Sequence, residues 1–329
     1  MNDLQITAPS RSDELHALVM QASGYFDLGK STQTKKSYDS DIRQWKSFLA
    51  EFSISESPSS AATVAIYAAR LAAAGMAFAT ISRKIAALCY LHRTLGYEDW
   101  PATIRRSHIL REVLAGIARK HGTAQVGAEP LSSDDIRLIV GACPNNLLGL
   151  RDRALFLVGF SAGSRRNELA SILEIRDLNF TNQGMTISIR HDKTNPFGSD
   201  PRTIAIPFGE HQETCPVKAT QAWINAAAIS ADSLGPAFRA VDRWGNISRS
   251  ALNPRSIAKI LAASMKRAGL DSQNVSPHSL RAGFCTTASS NGASEREIAK
   301  ATGHRSNVVR RYIRPADPFE HNASRMLGL

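Results

Sequence analysis

Cysteine is scarce in this chain, and an apolar stretch long enough to cross a membrane is missing. The four cysteines lie far apart, at Cys89, Cys143, Cys215 and Cys285. Because no two of them have Cys-x-x-Cys spacing, neither a disulfide framework nor a thiolate zinc site is indicated. The N-terminal segment Met1–Gln5 also lacks the basic and apolar regions of a secretion signal. These absences predict buried thiols in a reducing, cytoplasmic environment and no membrane partner.

Acidic residues and lysines are few relative to arginine. The 329 residues include 29 Asp and Glu against 40 Lys and Arg, which gives a net charge of +11 and a pI near 9.8. Arginine accounts for 29 of the basic residues and lysine for 11. Since arginine can bind a phosphate through two parallel hydrogen bonds, this balance favours a polyanionic partner. With 43% hydrophobic residues, the chain is long enough for two domains with separate cores.

The first third of the chain has the pattern of a small helical bundle. Residues 1–29 predict an arm or a first helix that begins near Ser12. Four further helices are predicted from apolar residues at helical spacing and from capping residues. They run from Ser31 or Thr32 to Ile54, from Ser59 or Ser60 to Gly75, from Ala77 to Leu95, and from Ala102 to Lys120. Alanine-rich helices of this length pack as a compact bundle.

Basic residues dominate this bundle. Between Lys30 and Lys120, fourteen Lys and Arg stand against seven Asp and Glu, a net charge of +7. Nine basic residues on the predicted helices form a predicted phosphate-binding surface: Lys35, Lys36, Arg43, Arg83, Lys84, Arg105, Arg106, Arg119 and Lys120. Scattered charges are also typical of an ordinary solvated helix surface, so both interpretations stay open for each residue.

A segment without periodicity separates two predicted domains. Residues 121–130 contain two glycines and a proline, which predicts an extended linker between a domain of residues 30–120 and a domain of residues 131–329. Apolar residues at helical spacing near the C-terminus predict a last helix over residues 316–329.

The second domain is mostly helical in pattern, with one exception. Met185–Arg190 and Thr203–Pro207 alternate between apolar and polar residues, and a polar loop joins them. This arrangement predicts a β-hairpin within a helical domain. The predicted fold class is therefore mainly α: an N-terminal helical bundle, followed by a mostly α domain with a small β-hairpin or sheet.

A single tyrosine, Tyr312, follows residue 97, and it stands beside the basic segment Gly303–Arg311. Exchange of a phosphodiester through tyrosine requires a phenol aimed at phosphorus, cations on the non-bridging oxygens and a proton donor for the leaving oxygen. Because arginines can supply the charge, we expect no metal ion and no cofactor. A lone tyrosine is more often a packed aromatic residue, so the prediction depends on its companions.

Arg165 and Glu168 are the first of these companions. Their i, i+3 spacing on a predicted helical segment places both side chains on one face, with Cβ atoms about 5–6 Å apart. Such a carboxylate can orient the arginine or a neighbouring histidine. Arg166 lies roughly 100° further round the helix, so the spacing favours Arg165. An ordinary helical ion pair is the alternative.

His278 and Arg281 repeat the i, i+3 spacing. Ser294 and Glu297 form a predicted capping box that opens a helix, and His304 follows Gly303 at the predicted end of that helix. Each pattern is weak alone, because one His-x-x-Arg is expected by chance and a histidine at such a junction is often only structural. Their order along the chain, with Tyr312 last, makes them informative.

Lys193 lies where the first strand of the predicted hairpin ends. A lysine on such a loop can reach a phosphate and protonate the departing 5′ oxygen. Arg190 and His191 are competing donors, and a solvated loop lysine is the alternative.

Taken together, these residues resemble the ordered catalytic set of the tyrosine recombinase, or phage integrase, family. The set consists of Arg165, Lys193, His278, Arg281, His304 and Tyr312. The N-terminal half is similar to Cre-like site-specific recombinases, in helix lengths and in the segments Ala79–Lys84 and Leu91–Arg93. Ser164, where a larger apolar residue is usual, and the doubled arginine at 165 and 166 depart from the family pattern.

The resemblance implies a role for each residue. Arg165 and Arg281 would hold the non-bridging oxygens of the scissile phosphate, with a further hydrogen bond from His304. The other roles implied are acid/base for His278, general acid for Lys193, positioning group for Glu168, and nucleophile for Tyr312, which would form a 3′-phosphotyrosine.

The resemblance also implies partners. The expected protein is a bacterial or phage site-specific recombinase, associated with DNA, whose core-binding domain (30–120) and catalytic domain (131–329) clamp a duplex. It would act as a homo-tetramer on double-stranded DNA with paired inverted half-sites, through a Holliday junction and without ATP. The need for accessory proteins stays open. The alternatives are a type IB topoisomerase and a catalytically silent DNA-binding or accessory protein.

Overall fold

The computed structural model describes two compact units. Residue contacts divide the chain into Met1–Val126 and Gly127–Leu329. The residues described are 11–55, 57–124, 127–192, 195, 197–229, 234–304, 309–310, 324 and 327. They are mainly helical, with two small antiparallel sheets, in agreement with the predicted fold class.

The described part of the first unit is wholly helical in its regular structure. Its helices are α1 (Arg11–Leu28), α2 (Thr32–Glu51), α3 (Ala61–Ala73), α4 (Phe78–Thr94), α5 (Trp100–Arg106) and α6 (His108–His121). Two predicted caps are present, because the hydroxyls of Ser31 and Ser60 accept hydrogen bonds from backbone amides three residues later. Aromatic rings fill the centre of the bundle, where Trp45 lies 5.0 Å from Tyr67, ring centre to ring centre.

The last predicted helix of this unit is interrupted. Instead of one helix from Ala102 to Lys120, the chain forms α5 and α6 with Ser107 between them. Ser107 has an extended backbone, and its hydroxyl accepts a hydrogen bond from the amide of Leu110 at 3.4 Å. A serine competes for backbone hydrogen bonds in this way, so it starts a new helix where the apolar spacing alone predicts continuity.

The second unit adds six helices and five strands within its described residues. In chain order they are α7 (Ser133–Gly141), α8 (Leu147–Ser161), β1 (Leu178–Phe180), β2 (Gly184–Ile189), β3 (Arg202–Pro207), α9 (Pro216–Ala226), β4 (Arg239–Val241), β5 (Ile247–Ala251), α10 (Pro254–Arg267), α11 (His278–Ser290) and α12 (Glu295–Thr302). A short π-helical segment, Glu168–Ile172, follows α8. The core is apolar and includes the fully buried side chains of Phe156, Trp223 and Phe238.

The predicted hairpin is present as β2 and β3, and β1 joins it as a third antiparallel strand. Ile187 pairs with Ile204, so inward-facing residues of neighbouring strands meet on one face. The second sheet, β4 with β5, was not predicted. Lys193 and Tyr312 lie outside the described residues, as does most of the predicted last helix. No helix in the described part of the chain is long and apolar enough to span a membrane.

Candidate active site

The candidate site lies in the second unit, beginning where α8 ends. The chain turns there through Gly163, whose φ of +54° lies in the left-handed region that favours glycine. A Cβ at this position would come within 2.8 Å of Phe284 and Thr302, so a side chain has no room. The turn directs the carbonyl of Gly163 to Arg281 and brings Arg165 into the same cluster.

Arg165 and Glu168 form the predicted pair, but not along a regular helix. Arg165 precedes the helical residues, and its backbone amide donates to the Glu168 carboxylate at 3.0 Å while its guanidinium donates at 2.5 Å. The same carboxylate thus caps the N-terminus of the helical segment and orients the guanidinium of Arg165. The Arg165 side chain is 19% exposed, whereas Arg166 is exposed and points out of this pair.

Two residues that the sequence analysis missed complete the ion cluster. Asp192, just after β2, accepts a hydrogen bond from Arg165 at 3.3 Å. Arg202, the first residue of β3, donates to Glu168 at 3.4 Å and lies 3.8 Å from the Asp192 carboxylate. A sequence signal for Arg202 exists: it has the same strand phase as the buried Ile204 and Ile206, and an inward arginine requires acidic partners.

Arg281 is fully buried on α11, with 0% exposure. Its guanidinium donates to the carbonyl of Gly163 at 2.6 Å, to the carbonyl of Thr302 at 2.8 Å and to His304 at 3.2 Å. Burial, assisted by the nearby charge of Arg165, lowers the pKa of Arg281 to about 10, so it stays cationic at neutral pH. His278, the first residue of the same helix, is exposed.

His304 is held by the end of α12. The predicted capping box, Ser294 with Glu297, opens that helix, and Gly303 closes it with a φ of +66°. The His304 Nε2 atom accepts from Arg281, and Nδ1 lies 3.0 Å from the Thr302 hydroxyl. This network assigns the ring proton to Nδ1.

The pKa of His304 is lowered to about 3, first by burial and then by the charges of Arg281 and Arg165. The imidazole is therefore neutral at physiological pH. Its Nε2 atom is occupied by Arg281, so in this arrangement it cannot give the hydrogen bond to phosphate that the family resemblance implies.

The structure thus brings together Arg165, Glu168, Arg281 and His304 from the predicted set. His278 stands nearby, because its charge is among those that lower the pKa of His304. Three arginines and two carboxylates share the cluster, an arrangement suited to an anion such as a phosphodiester. Among the described residues, no group of three or more His, Cys, Asp or Glu side chains is placed to hold a metal ion.

The predicted phosphate-binding residues of the first unit differ in their surroundings. Six of them are exposed without a salt bridge among those found in the described residues: Lys36, Arg43, Arg105, Arg106, Arg119 and Lys120. Lys35 pairs with Asp27 at 2.8 Å, and Arg83 pairs with the buried Asp41 while remaining partly exposed.

Lys84 departs from the expectation of a DNA-facing residue. Its side chain is 3% exposed, and its ammonium donates to Asp41 at 3.1 Å and to Gln44 at 2.5 Å. The helical spacing places Lys84 on the inner face of α4, where a buried carboxylate on α2 neutralises it. It therefore links two helices of the bundle.

The pattern described as "Phage integrase family" matches residues 129–318, more than half of the chain, and "Phage integrase, N-terminal SAM-like domain" matches residues 27–98. The chain belongs to the phage integrase family. An "Integrase/recombinase xerD homolog" of Selenomonas ruminantium is 31% identical over 318 residues, which cover 95% of this chain and 91% of that protein.

Solved structures of this family share the fold. The Tn1549 transposon integrase in complex with circular intermediate DNA matches with a TM-score of 0.62 and 17% identity, covering 95% of this chain and 97% of the other. The lambda integrase tetramer bound to a Holliday junction matches with a TM-score of 0.56 and 16% identity, covering 94% and 80%. The predicted fold class and membership of the tyrosine recombinase family are confirmed.

Proposed function

We propose that this phage integrase family member is a site-specific DNA recombinase that cleaves and rejoins strands through a 3′-phosphotyrosine on Tyr312. The observation that carries the proposal is the convergence of Arg165 and Arg281, with Glu168 and His304, in one largely buried cluster. Preorganised cations of this kind stabilise the charge of a pentacovalent phosphorus without a metal ion. Conservation of the bond energy in the phosphotyrosine makes ATP unnecessary.

The burial of Arg281 adds a requirement to this mechanism. Its three protein acceptors leave two of its five N–H groups for a phosphate, yet its surface is covered. A phosphate reaches it only after neighbouring groups shift, so DNA binding opens the site. The same shift frees Nε2 of His304 from Arg281.

The remaining roles follow the chemistry of the leaving group. We assign the acid/base role to His278, which is exposed at the start of α11, and Lys193 is the proposed donor to the 5′ oxygen. Glu168 positions Arg165 through its two hydrogen bonds.

The proposed partner is double-stranded DNA with paired inverted half-sites, bound by both units of four protomers through a Holliday junction. The lambda integrase with a matching fold is a tetramer on such a junction, which supports this assembly for the present chain. The exposed cations of residues 30–120, the proposed core-binding domain, would contact the phosphate backbone. The proposed catalytic domain is residues 131–329.

The covalent intermediate provides the decisive test. Nicked duplexes from the DNA that flanks the gene are incubated with wild type and with Tyr312→Phe, and protein–DNA adducts are separated under denaturing conditions. We expect an adduct with wild type and none with Tyr312→Phe, while both bind DNA equally. Adduct formation by Tyr312→Phe overturns the assignment of the nucleophile, and no adduct with wild type indicates a catalytically silent protein.

A second assay distinguishes a recombinase from the alternative, a type IB topoisomerase. A recombinase exchanges strands between two duplexes that each carry the site, whereas a topoisomerase only relaxes a supercoiled plasmid. Relaxation without exchange would favour the topoisomerase.

The general acid can be identified with a 5′-bridging phosphorothiolate, because its sulfur leaves without a proton. We expect this substrate to rescue cleavage by Lys193→Ala but not by Arg281→Ala. Rescue of Arg190→Ala or His191→Ala instead would assign the role to one of those competing donors.

A further inference from the structure

Arg202 occupies the centre of the candidate site although it belongs to none of the predicted motifs. Its guanidinium donates to Glu168 at 3.4 Å and lies 3.8 Å from Asp192. The same group donates to the carbonyl of Ala301 in the last turn of α12. Arg202 therefore connects β3 with the segment of Arg165 and Glu168, with Asp192 after β2, and with α12, which His304 follows.

The contact with α12 is close. A Cβ on Gly303 would lie 3.0 Å from the Nε atom of Arg202, so this arginine packs directly against the residue that precedes His304. The side chain of Arg202 is 13% exposed, and no group among the described residues accepts from its buried Nε. The strand register places the side chain of Arg202 on the inner face of β3, because Ile204 and Ile206 on the same face are buried in the core.

Charge balance shows what Arg202 contributes. Arg165 faces two carboxylates, Glu168 at 2.5 Å and Asp192 at 3.3 Å. Without a second cation paired directly with them, these two acids outweigh the charge of Arg165 and leave it a poor partner for a phosphate. Arg202 is bound to the same two acids and restores the balance.

We propose that Arg202 is a positioning residue for DNA cleavage: it neutralises Glu168 and Asp192, so that Arg165 keeps positive charge for the scissile phosphate. This role rests on the proposed function. Asp192 also accepts from the amide of Asn195 at 2.8 Å, so the same pairing holds a carboxylate that is bonded to both Asn195 and Arg165.

The test compares cleavage with binding and folding in the full chain. Adduct formation on the nicked flanking duplexes is timed for wild type, Arg202→Ala, Arg202→Lys and the double variant Arg202→Ala/Asp192→Asn. Loss of a directly bound donor costs about 10²–10³ in rate, so loss of Arg202, which acts through Arg165, should cost about 10- to 100-fold. Arg202→Lys, which keeps the charge, should lose less.

The double variant distinguishes electrostatic positioning from a structural role. Asp192→Asn removes one negative charge and keeps an oxygen that accepts from the amide of Asn195. The double variant should therefore cleave about tenfold or more faster than Arg202→Ala. Affinity for the same duplex, measured in a Tyr312→Phe background, should change by less than about threefold. Arg176→Ala, which breaks the Arg176–Glu174 pair in the same unit, is the control and should cleave normally.

The outcomes distinguish the positioning role of Arg202 from a purely structural role and from failure of the proposed function. Cleavage by Arg202→Ala at the wild-type rate overturns the role of Arg202 and leaves the proposed function standing. A double variant no faster than Arg202→Ala, with melting temperatures equal, means that Arg202 acts only by holding the fold. If Arg202→Ala is unfolded, Arg202→Lys decides: a rate as low as that of Arg165→Ala contradicts the charge argument. No adduct with wild type overturns the proposed function and this role together.

Discussion

At the scale of single residues, the environment of His304 makes stability depend on pH. Its pKa in the folded chain is about 3, well below the ordinary value of 6.5. Between these values the unfolded chain binds the proton more readily, so stability is fully present above pH 6.5 and is lost as the pH falls.

We therefore expect the free energy of unfolding to decrease as the pH falls from about 6 to about 4, by less than about 1.4 kcal/mol per pH unit because solvent partly screens this half-buried ring. His304→Gln, whose amide oxygen can accept from Arg281, should show a shallower slope in chemical denaturation. Equal slopes for the two proteins would contradict a neutral, half-buried His304.

The neighbouring arginines provide a second prediction at this scale. Arg165 is held by Glu168 and Asp192, whereas Arg166 is exposed beside it. Arg165→Ala should slow adduct formation by about 10²–10³, and Arg166→Ala by far less. A larger loss for Arg166→Ala would mean that the wrong arginine has been assigned to the phosphate.

Which site residues can be predicted from sequence depends on how local their partners are. Arg165 and Glu168 are three residues apart, so their spacing alone indicates a pair. Arg202 finds Glu168 across 34 residues and the carbonyl of Ala301 across 99, through contacts that only the folded chain defines. Its inward strand phase could indicate burial, but not its partners.

At the scale of secondary-structure elements, a buried ion pair connects α2 and α4. Lys84 and Arg83 on α4 both contact Asp41, which lies on α2. Breaking a buried pair by removing one partner costs about 3–5 kcal/mol, and Arg83 remains to moderate the loss. We expect Lys84→Met to reduce the free energy of unfolding by about 3 kcal/mol.

The matched control is Lys36→Met on the exposed side of α2, which should change stability by less than about 0.5 kcal/mol. Chemical denaturation of both variants checks the prediction. If Lys84→Met is as stable as Lys36→Met while binding DNA more weakly, Lys84 faces DNA after all.

Helix ends were predictable where a single capping residue determines them. Ser31, Ser60, Ser294 and Gly303 all cap the helices that the sequence assigns to them. The break at Ser107 was missed because apolar residues continue across it. The sheet of β4 and β5 was missed because β4 has only three residues and β5 is largely polar and has no buried residue, so neither has a clear alternation.

At the scale of the whole molecule, positive charge is the property that both units share. In the first unit it is carried by exposed cations such as Lys36 and Arg43, and in the second the candidate site adds arginines buried among carboxylates. Exposed cations attract a phosphate backbone over longer distances, whereas buried ones act only on a phosphate that enters the site. Binding and cleavage should therefore respond differently to substitution.

The salt dependence of binding tests this division. A protein that makes about 6–10 phosphate contacts loses roughly 10³–10⁵ in affinity between about 50 and 200 mM salt. We expect this range for wild type on a short duplex, by fluorescence anisotropy. Replacing Lys36 and Arg43 together by alanine should reduce the slope of log affinity against log salt by about 1.8, since each lost contact removes about 0.9.

Lys84→Met serves as the internal control, because its ammonium is committed to Asp41 and Gln44. We expect its slope to equal that of wild type wherever the variant is folded. A wild-type affinity almost independent of salt would mean that the exposed cations of the first unit do not face DNA. An unchanged slope after the Lys36 and Arg43 substitutions would instead assign the phosphate contacts to other exposed cations, first among them the remaining members of the predicted set: Arg105, Arg106, Arg119 and Lys120.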